Sequence, residues 1–231
     1  MFKRKSKTIC FIPARKGSKR IKNKNIKNFF GKPLLYYVIN TARKSGLFDK
    51  IIVSTDCFKI KKIAQKYGSE VPFIRPKKYS DDKSTDTQVV EHFLSFCKNK
   101  NLTVKYLCYV YPTNPLLSIK TLKNSFKLLK EKKAQKTLTV SAYEYPIQRA
   151  LKKKSNGQVI FREPKYKNTI SQNLETFYQD ATQCYWYNIS KIKNFKKFEK
   201  FKTFGYELKN TEFVDLNTED DLKKLKIYFK K

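Results

Sequence analysis

Two rhythms alternate along this chain: short unbroken apolar runs, and longer stretches in which apolar residues recur every three to four positions. The first run, Ile9-Cys10-Phe11-Ile12, ends at Pro13 and a polar loop. Beyond the loop, Pro33 stands where a first helical turn tolerates it, and Leu34, Leu35, Val38, Ile39 and Ala42 make an apolar stripe ending at Gly46. Ile51-Ile52-Val53-Ser54-Thr55-Asp56 is a second run that turns polar at its end, and Ile60, Ile63, Ala64 and Tyr67 form a second stripe closed by Gly68. Val71-Pro72-Phe73-Ile74 reads as a third, shorter strand. Thr85 is a good N-cap for a helix carrying Val89, Val90, Phe93, Leu94 and Cys97 on one face. Tyr106 to Tyr111 is another strand, Leu122, Phe126 and Leu129 mark another amphipathic helix, and Lys136 to Ala142 is a further strand.

Strands alternating with helices predict right-handed crossovers and a doubly wound, mostly parallel α/β sheet. From Tyr143 the regularity fails. Residues 143–188, with a turn at Lys152 to Gly157, an irregular Arg162 to Gln172 and an aromatic strand Gln183 to Tyr187, read as an insertion into a single domain spanning 1–231. The strand Phe204 to Leu208, the segment Phe213-Val214-Asp215-Leu216-Asn217 and a helix from Thr218 return to the main domain. Glu219, Asp220 and Asp221 suit the first turn of that last helix.

Composition changes this picture in a few places. The 231 residues suffice for one sizeable core, and 40% hydrophobic content with 18 Phe and 15 Tyr marks a globular chain. No stretch approaches the roughly 20 apolar residues of a membrane span. Met1-Phe2-Lys3-Arg4-Lys5 leads directly into the first strand instead of a signal-peptide core, which points to a cytoplasmic protein. Cys10, Cys57, Cys97, Cys108 and Cys184 have no Cys-x-x-Cys spacing and read as reduced, mostly buried thiols rather than a disulfide frame or zinc site. His92, the only histidine, shares a polar helix face with Gln88, Ser95 and Asn99 and reads as exposed. A formal net charge of +33 attracts any polyanion. Yet only seven of the 52 cationic residues are Arg, and the lysines spread along the whole chain. Nucleic-acid readers favour Arg and gather charge on one face, so nucleic acid is a poor candidate partner.

The chemistry gathers in residues Thr8 to Lys32. The loop Ala14-Arg15-Lys16-Gly17-Ser18-Lys19-Arg20 follows the carboxyl end of a buried parallel strand, where open α/β sheets bind ligands. Gly17 and Ser18 offer backbone N–H groups to an anion, and the cations add charge. By itself such a loop is equally a solvated charge run, and it lacks the Gly-to-Lys-Ser/Thr spacing of the Walker phosphate loop. The full string is more specific. Ile12-Pro13-Ala14-Arg15-x-Gly17-Ser18-Lys19-Arg20-Ile21, with Lys24-Asn25-Ile26 and Gly31-Lys32-Pro33-Leu34, resembles the opening of the cytidylyltransferases that activate nonulosonic, sialic-type acids as CMP-sugars. Ile52-Val53-Ser54-Thr55-Asp56, Pro72-Phe73-Ile74-Arg75-Pro76 with Ser80-Asp81-Asp82, Pro112-Thr113-x-Pro115-Leu116 and Val214-Asp215-Leu216-Asn217-Thr218-Glu219-Asp220 follow in the family's order. The resemblance covers essentially the whole chain.

It implies a nucleotide-diphospho-sugar transferase fold and a homodimer joined through the 143–188 insertion. The implied reaction is attack of the anomeric hydroxyl of a nine-carbon 2-keto sugar acid on the α-phosphorus of CTP, with loss of pyrophosphate. Cations and N–H donors then surround the triphosphate, and Mg²⁺ is the implied metal ion. Carried over by motif, Arg15 and Lys24 are the catalytic cations; Arg15, Ser18, Lys19, Lys24 and Asn25 hold triphosphate and ribose; and Arg75 meets the cytosine with Ser84 nearby. Asp215 and Asn217 stand where the family carries Asp-x-Asp, with Asp215 as the principal metal ligand and Asn217, which keeps a carbonyl oxygen but lacks the charge, as the weaker one. Asp56 either reaches the ligand edge or caps the next helix.

Tyr111-Pro112-Thr113 replaces the Gln-Pro-Thr of sialic acid-type relatives. Tyr145-Pro146-Ile147-Gln148-Arg149-Ala150-Leu151, Ser171-Gln172-x-Leu174 and Tyr178-x-Asp180-Ala181-x-Gln183-x-Tyr185-Trp186 look like the pseudaminic acid branch. The implied sugar-binding residues are Tyr111, Thr113, Gln148, Arg149, Gln172 and Tyr185. The pattern departs at Ile170, where the branch carries Arg, and at Asn173, where it carries Asp, which leaves Arg149 or a neighbouring cation to meet the sugar carboxylate. Tyr185, Trp186 and Tyr187 stay open between dimer core and sugar contact. The same reaction on N-acetylneuraminic or legionaminic acid is the near alternative. A non-catalytic polyanion-binding protein, motivated by the +33 charge, Asn217 and Ile170, is the alternative of another class. Binding that collapses with salt marks the latter, and Mg²⁺-dependent CTP binding marks the enzyme.

Overall fold

Both faces of the first strand are buried. β1 (Lys7–Pro13) turns Cys10 and Ile12 into one core cluster and Ile9 and Phe11 into another, all four shut off from solvent. A strand apolar on both sides belongs inside a sheet covered by helices on both faces. The computed structural model, which describes residues 7–18 and 20–230, has that arrangement. Along the chain follow a small ribbon of β2 (Asn28–Phe29) and β3 (Lys32–Pro33), then α1 (Leu34–Ser45), β4 (Lys50–Ser54), α2 (Phe58–Lys66), α3 (Asp86–Asn99), β5 (Val104–Val110), α4 (Ile119–Glu131) and β6 (Lys136–Ala142). A second ribbon of β7 (Leu151–Lys153) and β8 (Val159–Phe161) precedes β9 (Tyr178–Asn188), β10 (Thr203–Glu207) and α5 (Glu219–Lys230).

Six strands form one sheet in the order β10-β6-β9-β5-β1-β4. β4 and β5 pair parallel to β1, and β10 parallel to β6, while β9 runs antiparallel to both β5 and β6. The doubly wound, mostly parallel α/β sheet read from the sequence is therefore present. Leu35, Val38 and Ile39 of α1, Ile60 of α2 and Leu122 and Leu129 of α4 cover one face, and Val89, Val90 and Phe93 of α3 cover the other. A third cluster, Ile21, Phe29, Leu34, Val214, Leu216, Leu222 and Leu225, ties α5 to the loop that follows β1.

Local chemistry explains most boundaries. Thr85 caps α3 through a reciprocal pair with Gln88, and Gly46 ends α1 in the left-handed region at φ 66°, where a Cβ is unfavourable. Thr218 and Asp221 exchange hydrogen bonds at the start of α5. Pro33 is one residue outside its predicted place: with ψ 145° it is the extended cap of α1, not part of its first turn.

Three expectations need correction. Val71–Ile74 is not a strand. The segment touches the edge of β4 only through isolated parallel bridges at Glu70 and Ile74, and Pro72, without an N–H, cannot continue a ladder between them. His92 is not on a solvated face, because its ring packs against Phe73 and Tyr79 and its Nδ1 is buried without a hydrogen-bond partner. Burial, with Arg75 and Lys78 nearby, lowers its pKa. Finally, Trp186 and Tyr187 are neither dimer surface nor sugar contact. They belong to β9 at the centre of the subunit's own sheet, where Trp186 is stacked between Phe126 at 4.2 Å and Phe48 at 5.3 Å. The irregular segment 143–177, by contrast, carries exposed Tyr145, Leu151, Val159 and Ile170.

Candidate active site

Beyond the carboxyl ends of β1 and β5 lies a cleft of about 560 Å³, walled on one side by the first turn of α3. The loop after β1 is held there by backbone anchors. Ala14 N–H donates to the Ser54 carbonyl at 2.8 Å, and Lys16 N–H donates to Asp56 Oδ1 at 2.8 Å. Asp56 does not cap α2, where Cys57 is the cap; its carboxylate pins the loop after β1. Asn25, 5% exposed, donates its amide to the Arg15 carbonyl at 2.7 Å. The Ser18 N–H closes onto the Lys16 carbonyl at 2.9 Å, so it is already engaged as a donor, while its side chain lines the cleft.

Cations converge on this space. Arg15 Nη2 pairs with Asp82 at 2.9 Å, and Lys24 Nζ donates to the Leu216 carbonyl at 2.7 Å. Burial lowers the Lys24 pKa, with Asp215 opposing the shift and Arg20 and Arg15 adding to it. Arg75 is 3% exposed, and its Nε donates to Ser80 Oγ at 3.1 Å. Burial weakens its hold on the proton, and Asp56 and Tyr109 act the other way. Ser84 donates to Asp81 Oδ1 at 2.7 Å and thereby holds that carboxyl below its ordinary range.

Arg15, Ser18, Lys24, Asn25, Arg75, Ser84, Tyr111, Thr113 and Asn217 all line the cleft. Lys19 lies outside the described residues. Gln148, Arg149 and Gln172 are not brought to this cleft. Gln148 lines a separate cavity of about 330 Å³ with Arg162, Tyr166 and Phe177, and donates to the Glu175 carbonyl at 2.8 Å. Arg149 is hydrogen-bonded to Ser171 at 3.1 Å, and Gln172 is exposed on the adjoining turn. Tyr185 sits behind the wall, 6% exposed, with its hydroxyl 2.9 Å from that of Tyr111.

Asp215 lies at the neighbouring cavity beside α5, linked to the cleft through Asn217. Asn217 Nδ2 donates to Asp215 Oδ2 at 2.6 Å, and Arg20 Nη2 donates to Asn217 Oδ1 at 2.7 Å. Among the described residues, no three His, Cys, Asp or Glu gather as a metal cluster. Sequence reasoning assigned no role to Arg20, Asp86 and Tyr109, which also line the cleft. Tyr109 shares a strand face with Tyr111, a signal the sequence contains; nothing in it brings Asp86 to them.

A cation-lined cleft at the carboxyl edge of such a sheet defines a nucleotide-binding α/β protein. The cytidylyltransferase family profile matches residues 9–231. The chain is 36% identical over 226 residues to the pseudaminic acid cytidylyltransferase of Campylobacter jejuni, covering 97% of each. It is 32% identical over 211 residues to a Helicobacter pylori protein whose name joins that activity to a UDP-sugar hydrolase, covering 91% of this chain and 40% of that one. In fold it is similar to the solved structure of a CMP:2-keto-3-deoxy-manno-octonic acid synthetase complexed with CTP, at TM-score 0.69 and 15% identity over 97% of this chain and 99% of that one. This chain belongs to the cytidylyltransferase family and is a nucleotidyltransferase.

Proposed function

We propose that the protein couples CTP to pseudaminic acid, giving CMP-pseudaminic acid and pyrophosphate. The observation that carries this reading is the convergence of Arg15, Arg20, Lys24 and Arg75 on one cleft, in a chain 36% identical along its length to a protein of that name. The anomeric hydroxyl attacks the α-phosphorus, the new O–P bond forms as the bond to the pyrophosphate oxygen breaks, and charge builds on the departing oxygens. Arg15 exchanges Asp82 for phosphate oxygens and Lys24 meets the developing charge, where its burial makes each interaction stronger than in water. Arg75, pinned by Ser80, receives the cytosine, with Ser84 beside it. Tyr111 and Thr113 face the sugar end.

Asp215 offers a carboxylate oxygen, and the Asn217 amide oxygen joins it once Arg20 leaves it for the triphosphate. That donor set fits Mg²⁺, which keeps several waters and takes one or two protein oxygens plus substrate phosphates. Bound there, the ion would neutralise charge on the triphosphate and the leaving pyrophosphate. The exposed apolar side chains of 143–177, Tyr145 at 80% and Ile170 at 66% among them, support a homodimer formed through that lobe. The reading places the enzyme in the cytoplasm, the compartment that supplies CTP.

The test is pyrophosphate release from CTP and Mg²⁺ with pseudaminic, legionaminic and N-acetylneuraminic acids offered separately. Release with pseudaminic acid alone is the expected result. Release with a different acid keeps the mechanism and overturns the choice of sugar. No release with any, together with anion binding that ignores Mg²⁺ and collapses with salt, favours the polyanion-binding alternative to which Asn217 and the +33 charge point.

A further inference from the structure

From the cleft wall, at Asp86, Tyr109 and Tyr111, to Tyr185 and Asp180 behind it, three tyrosines link two carboxylates. Asp86, the first residue of α3, accepts from the Tyr109 hydroxyl at Oδ1 and from the Tyr111 hydroxyl at Oδ2, the latter at 2.7 Å. The Tyr185 hydroxyl donates to Asp180 Oδ2, and the hydroxyls of Tyr111 and Tyr185 are 2.9 Å apart. The rings of Tyr109 and Tyr185 are stacked at 5.7 Å, with the Lys136 ammonium 4.5 Å from the Tyr185 ring centre.

The protons in this chain can be counted. Ionised carboxylates only accept, and each phenol carries one proton. Burial pushes all three phenols well above their ordinary pKa, so each keeps its proton at neutral pH. Three protons therefore serve four contacts. Hydrogen bonds to an ionised group are roughly twice as strong as neutral ones, so the carboxylates take all three. With Tyr109 and Tyr111 donating to Asp86 and Tyr185 donating to Asp180, the 2.9 Å contact between the Tyr111 and Tyr185 oxygens, in which either hydroxyl could be the donor, has no phenol proton left to fill it. That pair is an acceptor short of one donor, and one of its two residues, Tyr111, lines the cleft.

We propose that Asp86 is a positioning residue for the sugar end: by holding the Tyr111 proton in a hydrogen bond to its own carboxylate, it makes the Tyr111 oxygen an acceptor for an N–H or O–H of the sugar acid. A carboxylate of the sugar is disfavoured at that oxygen, and a hydroxyl or acylamino N–H is selected. The inference rests on the proposed reaction, with the sugar at the Tyr111 end of the cleft.

The experiment measures KM for pseudaminic acid, kcat and the CTP dissociation constant in the wild type, Asp86→Ala, Asp86→Asn, Tyr111→Phe and the Asp86→Ala/Tyr111→Phe pair. Asp86→Ala and Tyr111→Phe should each raise the sugar KM about ten-fold, the scale of one hydrogen bond, with CTP binding unchanged. The pair should be no worse than Tyr111→Phe alone, because both remove the same contact. Asp86→Asn, which keeps the shape and one acceptor, should recover part of the loss. A sugar KM that stays at the wild-type value in both Asp86 variants overturns the proposal. So does a CTP constant that weakens in step with the sugar KM, since Asp86 would then merely hold α3 in place. A wild type that turns over none of the three acids overturns the reaction and this inference together, whereas an active wild type with silent Asp86 variants overturns the inference alone.

Discussion

At the scale of single residues, burial at the cleft lowers the affinity of Lys24 for its proton, and the Asp215 charge opposes that shift. A triphosphate bound against the ammonium raises its pKa again. Between the lowered value of the free protein and the raised value of the complex, binding must therefore take up a proton. Calorimetric titrations of CTP in alkaline buffers of different ionisation enthalpy should show that uptake, growing as pH climbs toward the ordinary lysine value of 10.5. Lys24→Met should abolish it, and an uptake unchanged in that variant would assign the proton elsewhere. Asn217 makes a second case. Its amide is held between the Arg20 guanidinium and the Asp215 carboxylate, so Asn217→Asp puts a second negative charge beside the first. Because ligand charge tunes affinity for hard cations, that variant should bind Mn²⁺, a stand-in for Mg²⁺, about ten-fold more tightly without CTP. Water-proton relaxation reads this directly, and equal affinity in both proteins would remove Asn217 from the metal site.

At the scale of elements, β10 can lie beside β6 only because Gly205 has no side chain. A Cβ built there would meet Val140 Cγ2 at 2.8 Å and Cγ1 at 3.3 Å. Valine is stiff at χ1, so it cannot swing away, and Gly205→Ala should cost about 1–3 kcal/mol in urea unfolding. Val140→Ala in the same chain should return part of that loss; a stable Gly205→Ala protein would mean that the two strands separate freely. β9 shows what periodicity misses. Its residues look like part of an aromatic, irregular insertion, yet antiparallel pairing to β5 and β6 puts Cys184 and Trp186 in one core cluster and Tyr185 and Tyr187 in the other. The Val71–Ile74 segment errs the opposite way: its apolar content suits a strand, but Pro72 denies it a continuous ladder.

At the scale of the molecule, the lobe 143–177 stands apart from the main sheet with Leu151 58%, Val159 53% and Ile170 66% exposed. Apolar surface gathered on one lobe is what an interface between copies would bury. Sedimentation should accordingly show a dimer, and Leu151→Asp with Ile170→Asp should shift it to monomer, since a buried unpaired carboxylate opposes association. A wild-type monomer at micromolar concentration would refute this role for the lobe. The +33 charge belongs to this scale as well: lysines spread over the chain steer anions toward the protein as a whole, while the cleft itself balances Arg15, Arg20, Lys24 and Arg75 against Asp81, Asp82 and Asp86.

Periodicity alone determined the alternation of strands and helices, because one face or both of each element must be apolar to be buried, and that requirement is written locally. The motif string around Arg15, Lys24 and Asn25 marked the cleft through its resemblance to the family's opening, since the charged loop alone reads equally as a solvated run. What the chain could not show locally is which distant groups meet. Asp56 reaching back to Lys16, Arg20 donating to Asn217, and Asp86 taking the protons of Tyr109 and Tyr111 are contacts between residues apart in sequence. The tertiary fold created them: β1 between β4 and β5 sets the loop after β1 beside Asp56 and the end of β5, and the third core cluster brings the segment before α5 to that loop, pairings that no local pattern of apolar and polar residues encodes.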